Sequence, residues 1–150
     1  MQKGREAEDM AANFLQDQGY EIVQRNYRYK HSEIDLIVRK DNWLVFVEVK
    51  MRSSDAYGYP EEFVDYRKAK NIVYGAEQYT FQHEYNGNVR YDVVAISIRN
   101  GVPDLKHFED AFYWCRKIIR LNLKFLVRLF RINFFSLLIK FLSHVGAHIF

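Results

Sequence analysis

Glu33–Lys50, EIDLIVRKDNWLVFVEVK, reads as two β-strands joined at Asp41-Asn42, with acids and a lysine where buried strands carry apolar side chains. A two-residue turn pairs Lys40 with Trp43, and antiparallel counting then sets Asp35 across from Glu48 and Glu33 across from Lys50. Side chains alternate along a strand, so Leu44, Phe46, Glu48 and Lys50 share one face while Trp43, Val45, Val47 and Val49 share the other. Opposed Cβ atoms stand roughly 4.5–5.5 Å apart, and like charges so placed are destabilising. A hard divalent cation, Mg²⁺ or Mn²⁺, relieves that repulsion, because such ions take oxygen ligands and often only one or two carboxylates. Lys50, two residues beyond Glu48 on the same face, can hold an attacking water or offset charge on a phosphoryl transition state. The ordinary alternative is a cross-strand ion pair between Glu33 and Lys50, with Asp35 and Glu48 solvated on an open sheet face. A one-residue slip of register would separate the two acids altogether.

Outward from this hairpin, Glu6–Gln18 has helical spacing of Ala7, Met10, Ala11, Phe14 and Leu15, with Gly19 where a C-terminal cap belongs. Tyr20–Lys30 reads as a strand preceding the hairpin. After the loop SSDAYGYP, Pro60, Glu61 and Glu62 make a favourable first helical turn. That helix is expected to run to about Gln82, burying Phe63, Ala69, Ile72, Val73, Ala76 and Tyr79 and leaving Arg67, Lys68, Lys70 and Asn71 outside. HEYNGN is a loop, RYDVVAISI (Arg90–Ile98) a strand, and Leu105–Phe108 a short last strand. The order α-β-β-β-α-β predicts an α/β fold, a mixed sheet with helices packed on it.

The chain has 150 residues, 49% hydrophobic and 17% aromatic, which suits one domain with a substantial core. A single cysteine, Cys115, excludes an intramolecular disulfide, and the polar start MQKGREAEDM lacks a signal-peptide run, so a reducing cytoplasm is the expected compartment. The net charge of +3 is unevenly divided. Residues 115–150 hold seven basic residues and no acid, which leaves 15 basic against 19 acidic residues in 1–114, a net charge of −4. Approach to a phosphodiester would therefore need a local basic patch or a bound cation.

An acid in the first helix, an Asp, and then Glu-x-Lys on the next strand resembles the PD-(D/E)xK nuclease superfamily. More closely, GREAEDMAANFL, NYRYKHSEIDLI, LVFVEVKMRSS, YGYPEEFVDYRKAK, RYDVVAI and EDAF, spanning about residues 4–113, are similar to the YraN-type family of small bacterial proteins, usually grouped with archaeal Holliday-junction resolvases. The resemblance implies a restriction-endonuclease-like sheet flanked by helices and metal-dependent hydrolysis of DNA, including branched or junction DNA. It implies that Asp35 and Glu48 hold Mg²⁺ or Mn²⁺, with the Val49 carbonyl completing the site, and that Glu8 is the helix acid and Lys50 the catalytic lysine. Acids in a first helical turn also suit the helix dipole, which gives Glu8 a purely structural reading as well. Dimerisation is implied by resemblance to resolvases, which make two symmetric cuts. Two positions depart from the family pattern: Ser32 and Ala7 stand where it usually has Gly.

Arg52, which continues the Glu48 and Lys50 face, and Arg5, Arg28, Lys68 and Lys70 are candidate phosphate contacts, together with Arg25, Lys30 and Arg67; each also reads as a solvated surface charge. Tyr27, Tyr29, Tyr57 and Tyr59 suit either base stacking or packing. No zinc spacing, recognition helix or Gly-rich phosphate loop is present, so structure-selective DNA binding is expected rather than sequence reading. A non-catalytic nucleic-acid-binding or repair-associated module is the alternative, although the acids would then repel the phosphates it binds.

From residue 115 the composition changes to a basic, hydrophobic extension in which Lys117, Arg120, Lys124, Arg128 and Arg131 recur at three and four residues. Charge-free runs such as Ile132–Ile139 fall far short of the roughly 20 residues that span a bilayer. Residues 115–150 therefore read as a basic amphipathic helical tail for an anionic membrane surface or DNA, as a packing or dimerising helix, or as an incidental extension. A membrane-surface or scaffolding protein is the further alternative if this tail dominates. Deletion of residues 115–150 should leave residues 1–114 soluble and folded, read by far-ultraviolet circular dichroism and gel filtration; aggregation of the shortened chain would assign the tail to packing.

Overall fold

The computed structural model describes residues 2–52 and 64–112. Helix α1 (Gln2–Asp17) is followed by strands β1 (Glu21–Tyr29), β2 (Ser32–Lys40) and β3 (Trp43–Arg52), helix α2 (Tyr66–Gln82) and strands β4 (Asn88–Arg99) and β5 (Val102–Phe108). The five strands lie in sequence order in one mixed sheet, antiparallel except for the parallel pair β3–β4 that spans α2. The expected α/β architecture is therefore present, with one more strand of full length.

Helix α1 ends where Gly19 turns left-handed at φ 83°. The Tyr20 N–H then donates to the Leu15 carbonyl and the Gly19 N–H to that of Gln16, the pairing that glycine permits at a helix end. The helix begins at Gln2 rather than Glu6. Its apolar stripe of Ala7, Ala11, Ala12 and Leu15 packs on Leu36, Val38, Val45, Val47, Val94 and Ile96. Helix α2 covers the other face, where Tyr79 meets Phe46 and Tyr27 edge-on at 5.8 and 5.1 Å.

Boundaries also differ from expectation at α2 and β5. Asp65 is extended (φ −67°, ψ 161°) and its carboxylate accepts the N–H groups of Arg67 and Lys68, so α2 starts at Tyr66 with an acid as its cap and does not run through from Pro60. Pro60, Glu61, Glu62 and Phe63, like Tyr57 and Tyr59, lie outside the described residues. Strand β5 is longer than Leu105–Phe108 because Asn100 and Gly101 (φ 50° and 80°) form a two-residue turn pairing Arg99 with Val102. Asn-Gly is a strong hairpin signal, and Asn100-Gly101 carries it here.

The β1–β2 ribbon changes faces midway. Arg25 forms an ion pair with Asp9 of α1, and its partner Leu36 packs under α1. Tyr27, two residues on, packs against α2, and its partner Ile34 approaches Gly75 of α2. Asn26 lies between Arg25 and Tyr27 in the left-handed region at φ 51°, which turns the strand over.

Ser32 is buried, and its hydroxyl donates to the Asn71 carbonyl at 2.7 Å. A Cβ on Gly75 would lie 2.9 Å from Ser32 Cβ and 3.3 Å from Ile34 Cδ1, so α2 approaches β2 this closely only because residue 75 is glycine. Gly75→Ala should cost about 1–3 kcal/mol in urea unfolding, the usual cost of overpacking. Ser32→Gly in the same chain should recover most of that loss, whereas equal stability of the two variants would place the strain elsewhere.

Candidate functional site

The β2–β3 register is that of a two-residue turn: Lys40 pairs with Trp43, Val38 with Val45 and Leu36 with Val47. Continued, this alternation would send the Val49 N–H to the carbonyl of Ile34. Instead Asp35 Oδ2 accepts the Val49 N–H at 2.7 Å. Replacement of a ladder bond by a carboxylate fixes Asp35 beside β3 at the place where the β2–β3 pairing ends. Val49 itself stays in register with Val94 of β4.

Glu48 points to the α2 side and is 4% exposed. Lys68, from the first turn of α2, reaches inward to Glu48 Oε2 at 2.9 Å. The sequence places Lys68 on the outer face of this helix, but its long stem lies half-buried along the sheet. Although the contact has ion-pair distance, Oε2 has no well-formed hydrogen bond. Burial first, and then the charge of Asp35, push the Glu48 carboxyl up to about 7 against the opposing pull of Lys68 and Lys50. For Lys68, burial would lower the pKa, but the charges of Glu48, Asp35 and Glu33 together raise it.

Asp35, Glu48 and Lys50 are therefore brought together on the α2 side of the sheet, as the hairpin predicts. Glu33 does not pair with Lys50; it accepts from Arg28 at 2.6 Å, across the β1–β2 ladder. Glu8 is half-buried on α1, whose apolar face packs with Val45, Val47 and Val49 on the opposite side from Glu48. Among the described residues no three His, Cys, Asp or Glu side chains form a group able to hold a metal ion. Two carboxylates, one buried with an oxygen lacking a well-formed hydrogen bond, still fit Mg²⁺, which retains waters and commonly takes only one or two protein carboxylates.

Of the candidate phosphate contacts, Arg5 is exposed on α1, Lys70 and Arg67 are exposed on α2, Arg28 is paired with Glu33, and Arg52 closes β3. Tyr27 packs in the core, while Tyr29 lies 5.9 Å from Tyr74 with Lys30 over its ring.

A second polar cluster, on the α1 side, escaped the sequence reading. Asp92 is fully buried and accepts from Arg90, from the Asp110 N–H and within 2.8 Å of His107 Nε2. Arg90 also donates to Glu109 and to the Tyr20 hydroxyl. Its guanidinium joins β4, the turn after β5 and Tyr20 just before β1, which gives RYDVVAI and EDAF a common physical purpose. The only available signal was an Arg-x-Asp pair at the head of an otherwise apolar strand.

The family model described as "Uncharacterised protein family UPF0102" matches residues 7–96. The chain belongs to this family. The UPF0102 proteins of Flavobacterium psychrophilum (38% identical over 110 residues) and Chlorobium phaeobacteroides (42% over 116) each align with 73% of this chain and with 92% and 91% of their own length. The UPF0102 protein of Cytophaga hutchinsonii is 44% identical over 97 residues, covering 65% of this chain and 86% of its own. The UPF0102 match thus contains Glu8, Asp35, Glu48, Lys50 and Lys68 and stops within β4. No helix among the described residues is long and apolar enough to cross a membrane.

Because its folded pKa of about 7 exceeds the ordinary 4.5, Glu48 favours the fold in its protonated form; that contribution is complete below about pH 4.5 and disappears as pH rises through 7. Without divalent cations, the melting temperature of the wild type should fall relative to Glu48→Gln by several degrees between pH 5 and 8. Parallel melting profiles of the two proteins would contradict the buried, proton-binding Glu48.

Proposed function

We propose that this UPF0102 protein is a divalent-cation-dependent phosphodiesterase that acts on DNA by structure rather than by sequence. The observation that supports this most directly is Glu48: a carboxylate buried beside a second carboxylate, with a lysine on its own strand and another reaching over from α2. An ordinary surface ion pair has no need of that burial, and a strand built only for stability would carry an apolar residue there.

Asp35 and Glu48 would hold Mg²⁺ or Mn²⁺, with the Val49 carbonyl as a further oxygen donor. When bound, the cation supplies Lewis-acid polarisation of a phosphate oxygen and offsets charge on the leaving group. Asp35 is oriented for this by the Val49 N–H, which fixes its carboxylate without a second side chain. Lys50, close enough to lower the Glu48 pKa, would position the water that adds across the P–O bond and counter the negative charge gained by the phosphoryl oxygens. Glu8, across the sheet from Glu48, is given no step in this scheme. Backbone phosphates would be met by Lys68, Lys70, Arg28 and Arg52, with Arg5 contributing from α1, which answers the need for local positive charge in a domain of net charge −4. A twofold arrangement of two copies would suit a branched substrate with symmetric strands.

Cleavage of duplex, single-stranded and four-way-junction DNA with Mg²⁺ or Mn²⁺ tests the proposal. Asp35→Asn and Lys50→Ala should each lower the rate by about 10²-fold or more, and a chelator should abolish it. No cleavage of any substrate, together with cation binding unaffected by Asp35→Asn, would refute the activity.

A further inference from the structure

Lys68 is held unusually for a surface lysine. Its backbone N–H is fixed by the Asp65 cap at 3.0 Å, and its side chain turns inward, 31% exposed, toward a Glu48 side chain that is 6% exposed. A carboxylate buried that deeply beside another needs a counter-charge, because an uncompensated buried charge costs several kcal/mol. Lys68 Nζ supplies it at 2.9 Å. The contact is nevertheless one of charge rather than direction, since Glu48 Oε2 lacks a well-formed hydrogen bond. A compact ammonium on a flexible four-carbon stem is suited to being displaced, whereas a bidentate arginine would be far harder to dislodge.

We infer that Lys68 is a resident counter-ion, occupying the cation-binding side of Glu48 until a divalent ion replaces it and thereafter offering its ammonium to a substrate phosphate. This rests on the proposed cation site. Cation binding becomes an exchange of one charge for another, so the acids are never left uncompensated. A lysine leaves the carboxylates when the cation arrives, which ties phosphate binding to cation binding. Lys68 is thus a positioning residue in the absence of the ion and a substrate contact in its presence.

Titration calorimetry with MnCl₂ on the full chain, comparing wild type, Lys68→Met and Asp35→Asn, separates the two claims. Lys68→Met keeps the apolar stem and removes the competing charge, so it should bind Mn²⁺ about tenfold more tightly than the wild type, while Asp35→Asn binds more weakly. Equal or weaker binding by Lys68→Met, with Asp35→Asn weaker than both, would overturn the exchange and leave the cation site standing. No binding by any of the three would overturn both. Should Lys68→Met fail to fold, ¹⁵N-lysine NMR of the wild type supplies the same decision. On adding Mg²⁺ the Lys68 ammonium resonance should shift together with the Val49 amide, and a Val49 shift with Lys68 unmoved would refute the exchange.

Discussion

The hydrogen bond from the Val49 N–H to Asp35 Oδ2 organises the α2 side of this fold. A strand pair normally consumes every facing N–H and carbonyl, leaving no place for a carboxylate within the ladder. Substitution of a side-chain acceptor for a backbone one ends the β2–β3 pairing without leaving the Val49 amide unsatisfied. It also sets an acid beside Glu48, whose burial then depends on cations from two elements, Lys50 on β3 and Lys68 on α2. The second is available only because α2 lies close to β2, and that closeness depends on Gly75 against Ser32. Backbone pairing, helix packing and charge compensation are consequently one coupled arrangement, in which a change to any member displaces the others.

The hairpin register was legible in the sequence from Lys40–Trp43 to Leu36–Val47, because a two-residue turn fixes the pairing that follows, but the end of that pairing before Glu33 and Lys50 was not. The meeting of Asp35 with Glu48 was legible too, since it required only that register. The partner of Glu33 was not legible: both neighbouring strands offer a cation, Arg28 on one and Lys50 on the other, and the choice follows from where the β2–β3 pairing stops, at Leu36 and Val47, while Arg28 and Glu33 stay paired across β1–β2. Lys68 was misread because helical periodicity sorts residues by the direction of Cβ, while a lysine stem can bend around the helix and bury its charge against an acid. Ser32 became interpretable only with the helix in place, as a donor to the Asn71 carbonyl.

The Arg90–Asp92 cluster illustrates a different limit. Strand alternation identifies Asp92 as an acid in an apolar strand and nothing more. Beyond Arg90 on its own strand, the partners of the Arg90–Asp92 pair come from Tyr20, from His107 on β5 and from Glu109 and Asp110 beyond β5, and no local pattern announces those. A fully buried carboxylate satisfied by a guanidinium, an imidazole and a backbone amide is costly to break from any side, and this one ties the end of the described residues into the sheet independently of the carboxylates under α2.

The left-handed Asn26 has an effect beyond turning the ribbon over. β1 is an outer strand of the sheet, and a regular outer strand would present free amides and carbonyls as a template for another chain. The register shift between Ile22 and Gln24, the reversal at Asn26 and the exposed Arg25 and Arg28 interrupt that template, while Pro103 and Lys106 do the same on β5. The conformational irregularity that lets β1 serve both helices thus also guards the sheet against aggregation by strand addition.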